Sequence, residues 1–232
     1  MDIFAISDLH LPGAAGKPMD LFGAHWDNHF KKITDDWYKR VSPEDVVLLP
    51  GDLSWAMRLE EAMGDIEAIG ALPGLKIILR GNHDFWWNSI SKVRRALPPG
   101  IVALQNDCVF ARESVLIAGT RGWALPGDSA DRETARIYER ELLRLDMSLS
   151  AARRVSPDMP LVAMMHYPPL SDPGHETGFT RLIERYDCRH VVYGHLHGPS
   201  VQGAFTGILN GAAYHQVSCD GLGFALFQLP RI

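Results

Sequence analysis

The feature that most constrains this chain is a repeated pattern in which a short run rich in branched apolar residues stops at Asp, Asn or His. Ile3 to Ile6 ends at Ser7-Asp8-Leu9-His10, and Val46 to Leu49 ends at Gly51-Asp52. Leu75 to Leu79 ends at Gly81-Asn82-His83-Asp84, Leu161 to Met165 at His166, and His190 to Tyr193 at Gly194-His195-Leu196-His197. Apolar runs of four to six residues read as strands buried on both faces. Between them lie segments with helical spacing: Asp20 to Val41, Met57 to Leu72, Trp86 to Leu97, Asp131 to Arg154 and His175 to Tyr186. In the fourth, Ala135, Tyr138, Leu142, Leu145 and Leu149 form one apolar stripe, and the Arg and Glu residues between them read as a solvated face. This rhythm predicts a layered α/β sandwich. After Gly198, glycines punctuate short apolar stretches up to Phe224-Ala225-Leu226-Phe227, which predicts antiparallel strands closing a sheet.

At 232 residues, with 46% hydrophobic and 22% charged residues, the chain can bury a sizeable core. Pro98-Pro99-Gly100 and Ser156-Pro157 read as internal turns, so one domain over 1–232 is expected. The net charge of -5 argues against a broad basic surface for nucleic acid. Cys108, Cys188 and Cys219 are too few and too scattered for a disulfide framework or a thiolate zinc site, which points to a reducing compartment. The apolar run at the N-terminus is too short and too acidic for a signal peptide, and no stretch reaches the ~18 residues needed to span a bilayer. A cytoplasmic location with no membrane partner is the expectation.

In open α/β sheets, ligands bind outside the carboxyl ends of the strands. Five such ends here carry hard oxygen or imidazole donors. Each has a plainer explanation alone. Asp8-x-His10 could be a turn, Asp52 a cap on a helix from Ser54, Gly81 to Asp84 a capping turn before Trp86, and His166 a hydrogen-bonded core residue. If the chain stays extended after the strand, Asp8 and His10 project to one face, as do His195 and His197. Five coincidences of donor type and position outweigh the separate explanations.

The ordered set Asp8-x-His10, Gly51-Asp52, Gly81-Asn82-His83-Asp84, His166 and Gly194-His195-x-His197 resembles the calcineurin-like metallophosphoesterase superfamily. The resemblance implies a four-layer α-β-β-α sandwich, with two mixed sheets face to face and a dinuclear metal site at the strand ends. It assigns one metal to Asp8, His10, Asp52 and His197, and a second to Asp52, Asn82, His166 and His195, with Asp52 bridging. Nitrogen and oxygen donors without thiolate suit Mn, Fe or Zn better than Mg or Ca, and Mn is favoured. The implied reaction is attack on phosphorus by a hydroxide held between two divalent metal ions, with His83 donating a proton to the leaving alkoxide.

Two positions depart from the pattern. Many relatives carry a second acid three residues after the Gly-Asp aspartate, where this chain has Trp55, so Asp84 or a backbone carbonyl would have to orient His83. Leu53-Ser54-Trp55-Ala56 also replaces the Asp-Arg-Gly continuation of protein phosphatases. Arg121 is a candidate cation for the substrate, with a structural role as the alternative. Trp55, Trp86, Trp87 and Trp123 either wall the pocket or belong to the core, Pro12 to Pro18 is a candidate rim, and His175 could reach substrate.

The function expected from the resemblance is hydrolysis of a soluble phosphomonoester or phosphodiester. The alternatives within the class are a nucleotide or cyclic-nucleotide phosphodiesterase and a lipid-pyrophosphate hydrolase. The alternative of another class is a non-catalytic metal-binding scaffold.

Overall fold

A computed structural model describes every residue except 14, 15, 17, 18, 128–130, 173, 174 and 232. Most of the Pro12 to Pro18 rim therefore lies outside the described residues. Along the chain the elements are β1 (Ile3–Ala5), α1 (His29–Arg40), β2 (Val46–Leu49), α2 (Leu59–Gly70), β3 (Leu75–Ile78), α3 (Ile90–Ala96), β4 (Ile101–Ala103), β5 (Cys108–Ala111) and β6 (Val115–Thr120). Then follow α4 (Arg132–Val155), β7 (Leu161–Met165), α5 (Gly178–Arg185), β8 (His190–Tyr193), β9 (Gly207–Leu209), β10 (Ala212–Gln216) and β11 (Phe227–Gln228).

The strands form two sheets, in the orders β11-β1-β2-β3-β4 and β5-β6-β7-β8-β10-β9. The consecutive runs pair in parallel, joined by crossovers through helices, and the antiparallel strands β11, β5 and β9 sit at edges. Three buried clusters separate four layers. Ile3, Val46, Leu48 and Ile77 of the first sheet meet Ile117, Val162, Met164 and Val192 of the second. Val47, Leu49 and Ile78 point the other way, onto Ile33 and Trp37 of α1 and Ile66 of α2. Leu116, Ala163 and Val191 face Leu145 and Leu149 of α4 and Ile183 of α5. Strands buried on both faces explain why the sequence shows unbroken apolar runs rather than alternation. This is the expected α/β sandwich of two mixed sheets flanked by helices.

Several local expectations change. The segment from Asp20 to Val41 is one α-helix preceded by two short 3-10 turns, Asp20–Phe22 and Ala24–Trp26. The region after Gly198 is only partly antiparallel, because β10 runs parallel to β8 and β11 joins the other sheet. Strands β4 and β5 had no distinct sequence signature. Lys76, inside the β3 run, is buried; its ammonium donates to the Gly70 and Leu72 carbonyls at 3.0 and 2.5 Å, completing the end of α2. The charged face of α4 is not uniformly solvated, since Glu141 is fully buried.

Candidate metal centre

The first two strand ends meet because the loops that follow them are zipped together by main-chain bonds. The amides of Asp8 and His10 donate to the carbonyls of Gly51 and Asp52, both at 3.0 Å, and Leu11 N donates to Leu53 O at 2.9 Å. The chain does not remain extended here. Asp8, His10, Asp52 and His195 have φ of 59°, 46°, 55° and 72°, left-handed conformations that cost non-glycine residues roughly 1–3 kcal/mol each. Four such residues in one cluster mark a site where side-chain direction overrides backbone preference. Asp8 and His10 thus reach one pocket through tight turns, not through the two-residue repeat of a strand.

Helix capping explains none of these residues. Helix α2 begins at Leu59 and α3 at Ile90, capped at Arg58 and Ser89. The buried Asp84 is instead the clamp of the site. Its carboxylate accepts from the amides of Asp52 at 2.8 Å, Leu53 at 2.8 Å, Ser54 at 3.3 Å and Gly81 at 2.7 Å, and from Trp86 Nε1 at 2.9 Å. Both oxygens are committed to those donors, so Asp84 shapes the loop that carries Asp52 rather than serving as the orienting acid for His83.

All seven sequence-derived donors converge. His10 Nε2 lies 3.3 Å from His197 Nε2 and 3.9 Å from Asp52 Oδ2. His197 Nε2 lies 3.5 Å from Asp8 Oδ1, and His166 Nε2 lies 3.5 Å from Asp52 Oδ2. Asn82 Oδ1 stands 2.6 Å from His166 Nε2 and 2.9 Å from His195 Nδ1. Donor atoms of Asp8, His10 and His197, and of Asp8, Asp52 and His166, each fall within 4.8 Å of one another. Asp8 is common to both groups, while Asp52 Oδ2 stands between His10 and His166.

The outer contacts decide which atoms face inward. His166 Nδ1 donates to the Pro50 carbonyl at 2.9 Å, which leaves the Nε2 lone pair directed at Asp52 and Asn82. His197 Nδ1 bonds Asp220 Oδ1 at 2.9 Å, and Gly198 N donates to the other Asp220 oxygen. Asp8 accepts from the Ser7 hydroxyl and from His195 N at 3.0 Å. Lone pairs set against buried carboxylate oxygens, with no thiolate, are the arrangement a divalent cation satisfies.

Without such a cation, the charges are awkward. Burial, then the Asp8 and Asp84 charges, push the Asp52 carboxyl up to about 9. Burial would also raise Asp8, but the hydrogen bond from His197 and the surrounding imidazoles hold it well below the usual carboxylate range. Burial lowers His10 to about 3 and His166 and His195 to about 4. His197 goes the other way: burial opposes its charge, yet Asp220 and Asp8 raise it to about 10.

Other expectations resolve less simply. The His83 amide donates to Asp52 Oδ1 at 2.7 Å, and its ring lies 4.4 Å from that of Trp55, which stacks on His10 at 4.7 Å. These rings, with Met19, His25 and Trp26, line a largely apolar cavity of about 310 Å³ that opens onto His10 and His197. Trp86 and Trp87 are core residues, whereas Trp55 walls the cavity. Arg121 points toward the buried Glu141 at 3.9 Å and lies over Trp123, outside this cavity. His175 is exposed and pairs with Asp172 at 3.0 Å. Sequence reasoning missed Asp220, Tyr167, whose ring lies 4.0 Å from that of His195, and His25. Asp220 sits in the glycine-rich tail beyond the last motif, with nothing in its neighbours to tie it to His197.

Among the described residues, no helix is long and apolar enough to cross a membrane. Residues 1–199 match the family model for calcineurin-like phosphoesterases. A search of curated proteins finds no match. Among solved structures, TT1561 of Thermus thermophilus is similar at 14% identity, with a TM-score of 0.61 over 98% of this chain and 97% of that one. Phosphopantetheinyl hydrolase (PptH) from Mycobacterium tuberculosis is similar at 18% identity, with a TM-score of 0.56 over 98% and 95% of the two chains. The motif order, the sandwich and the convergent Asp/His cluster agree with the match over most of the chain: this protein belongs to the calcineurin-like phosphoesterase family, hydrolases that act on phosphoric esters with the help of divalent metal ions.

Proposed function

We propose that the protein hydrolyses a soluble phosphomonoester or phosphodiester at a dinuclear centre, with Asp8, His10, Asp52 and His197 holding one cation and Asp52, Asn82, His166 and His195 the other. The observation that carries this reading is the Asp52 carboxylate, whose Oδ2 lies 3.9 Å from His10 Nε2 and 3.5 Å from His166 Nε2, which supports a role as the shared ligand. Manganese is the favoured ion, because a mixed nitrogen and oxygen set is softer than Mg or Ca prefers.

Bound divalent cations supply Lewis acidity toward the phosphoryl oxygens and lower the pKa of water toward about 7. The chain's own residues do the rest. Asp220 fixes the His197 ring so that Nε2 faces the centre, and Pro50 does the same for His166. His83, held through its amide by Asp52 and flanked by Trp55, gives a proton to the leaving alkoxide. The cavity walled by Met19, Trp26 and Trp55 receives the organic group of the ester and keeps water from it.

A panel of mono- and diesters assayed with Mn, Fe and Zn tests this reading. Metal-dependent turnover is expected; two bound metals with no turnover on any aryl ester would instead favour a binding scaffold. His83→Ala is expected to lose about 10²- to 10⁴-fold on alkyl phosphates and much less on aryl phosphates, whose leaving groups need no proton. Equal losses on both would remove the acid role. Asp220→Asn is expected to weaken metal affinity by about 10- to 100-fold, read by titration of the metal-free protein, with the fold intact by circular dichroism.

A further inference from the structure

A second cavity, of about 300 Å³, is strongly basic. Arg80, Arg121, Arg140 and Arg144 line it, and among its lining residues the only carboxylate is Glu141. Glu141 is fully buried and already satisfied, accepting from Thr120 Oγ1 at 2.6 Å and from Arg144 Nη1 at 2.7 Å. Arg121 and Arg140 approach it only to 3.9 Å. Arg80 forms no ion pair with any described carboxylate.

Two guanidinium donors are left over. The Nε atoms of Arg80 and Arg121 are both buried and have no hydrogen-bond partner among the described residues. Buried donors without acceptors cost about 1–3 kcal/mol each, and more when charged, so a protein retains them where a ligand supplies the acceptors. The cavity thus presents four cations to one carboxylate, with amide groups of Asn88, Gln105 and Asn106 on its wall. Planar guanidiniums with free edges suit a tetrahedral or planar oxyanion better than any neutral ligand.

We propose that this cavity is a binding site for a phosphate-type oxyanion, held by Arg80, Arg121 and Arg140 while Arg144 remains with Glu141. Two of its arginines are tied through the main chain to segments that carry candidate metal ligands. Arg80 precedes Asn82 by two residues, at most about 7.6 Å between Cα atoms, and the Arg121 carbonyl accepts from His166 N at 3.1 Å and Tyr167 N at 2.9 Å. The anion is either free phosphate or a second phosphate on an ester whose first phosphorus lies at the metals.

Calorimetric titration of inorganic phosphate into the metal-loaded protein tests the site. Two classes of binding are expected. One disappears when the metals are chelated; the other survives chelation and weakens at least tenfold in the double variant R80Q/R140Q. Absence of any class sensitive to R80Q/R140Q would overturn the proposal, whereas absence of the metal-dependent class would count against the proposed phosphoesterase centre alone. Should the double variant unfold, R140Q by itself serves, because that side chain is 48% exposed and its one ion-pair contact among the described residues is the distant one with Glu141. Its failure to weaken the chelation-resistant class would equally overturn the site. A second arm, which rests on the proposed activity, separates the two sources. A KM rise of at least tenfold confined to a doubly phosphorylated ester assigns the site to substrate; unchanged KM on both it and an aryl phosphate, with weakened phosphate binding, assigns it to free phosphate.

Discussion

Asp52→Asn is expected to lower kcat/KM by roughly a thousandfold or more, since in the proposed dinuclear centre several kcal/mol of transition-state stabilisation would depend on cations that this carboxylate would hold. Metal content per chain should fall at the same time, as measured by elemental analysis. The same change should have a different effect on the metal-free protein. Asp52 has a folded pKa near 9, far above the ~3.9 of an unfolded aspartate, so the folded state holds an extra proton between those values and loses stability as pH rises through them. His197, raised to about 10, adds a similar loss above its unfolded value of ~6.5. His10, His166 and His195 are lowered to about 3, 4 and 4, so below ~6.5 the unfolded state takes up more protons and acid destabilises the fold. Metal-free wild type should therefore be most stable near pH 6.5. In Asp52→Asn the decline on the alkaline side should become shallower, and thermal unfolding across pH 5–9 would show it. An unchanged alkaline limb would mean that Asp52 is not protonated in the metal-free fold.

Gly81→Ala should be nearly as damaging, through sterics alone. A Cβ on Gly81 would lie 2.0 Å from Asp52 Oδ1 and 2.3 Å from Asp52 N. One of those atoms belongs to the backbone, and the loop bearing it is pinned by Asp84, so the overlap cannot be relieved by turning a side chain. The Gly81 amide bond to Asp84 would be strained as well. The expected result is a loss of about 1–3 kcal/mol in stability, together with displacement of Asp52 and loss of metal binding. Gly64→Ala is the control. Gly64 lies within α2, a Cβ there meets nothing within 4 Å, and the change should stabilise the protein by about 0.5–1 kcal/mol. A Gly81→Ala protein with normal stability and full metal content would show that the loops adjust more freely than this packing allows.

Much of the fold was legible because parallel strands buried on both faces leave long apolar runs. The runs at Val46–Leu49, Leu161–Met165 and His190–Tyr193 coincide with β2, β7 and β8 for that reason. The three-residue β4 and the edge strand β5 were not legible, because a short strand, or one exposed on one side, needs no such run. Glu141 shows the same limit on a helix: charge pattern alone reads it as solvated, and only the approach of Thr120 and Arg144 makes its burial tolerable.

The seven candidate ligands were visible in sequence because strand ends are fixed in order along the chain, and a donor placed at each end leaves a linear trace. Their meeting point was not visible. It depends on left-handed turns at Asp8, His10, Asp52 and His195, on Asp84 gathering the amides of two loops, and on Gly81 permitting close approach. Residue order alone specified which donor types stand at the strand ends, because the hydrophobic period that makes strands also marks where they stop. Packing in three dimensions was needed to establish that Asp220 orients His197, that Trp55 walls a cavity, and that Arg121 turns toward Glu141 among three other arginines. Those are contacts between segments far apart in the chain, set by how the two sheets pack and not by any local pattern.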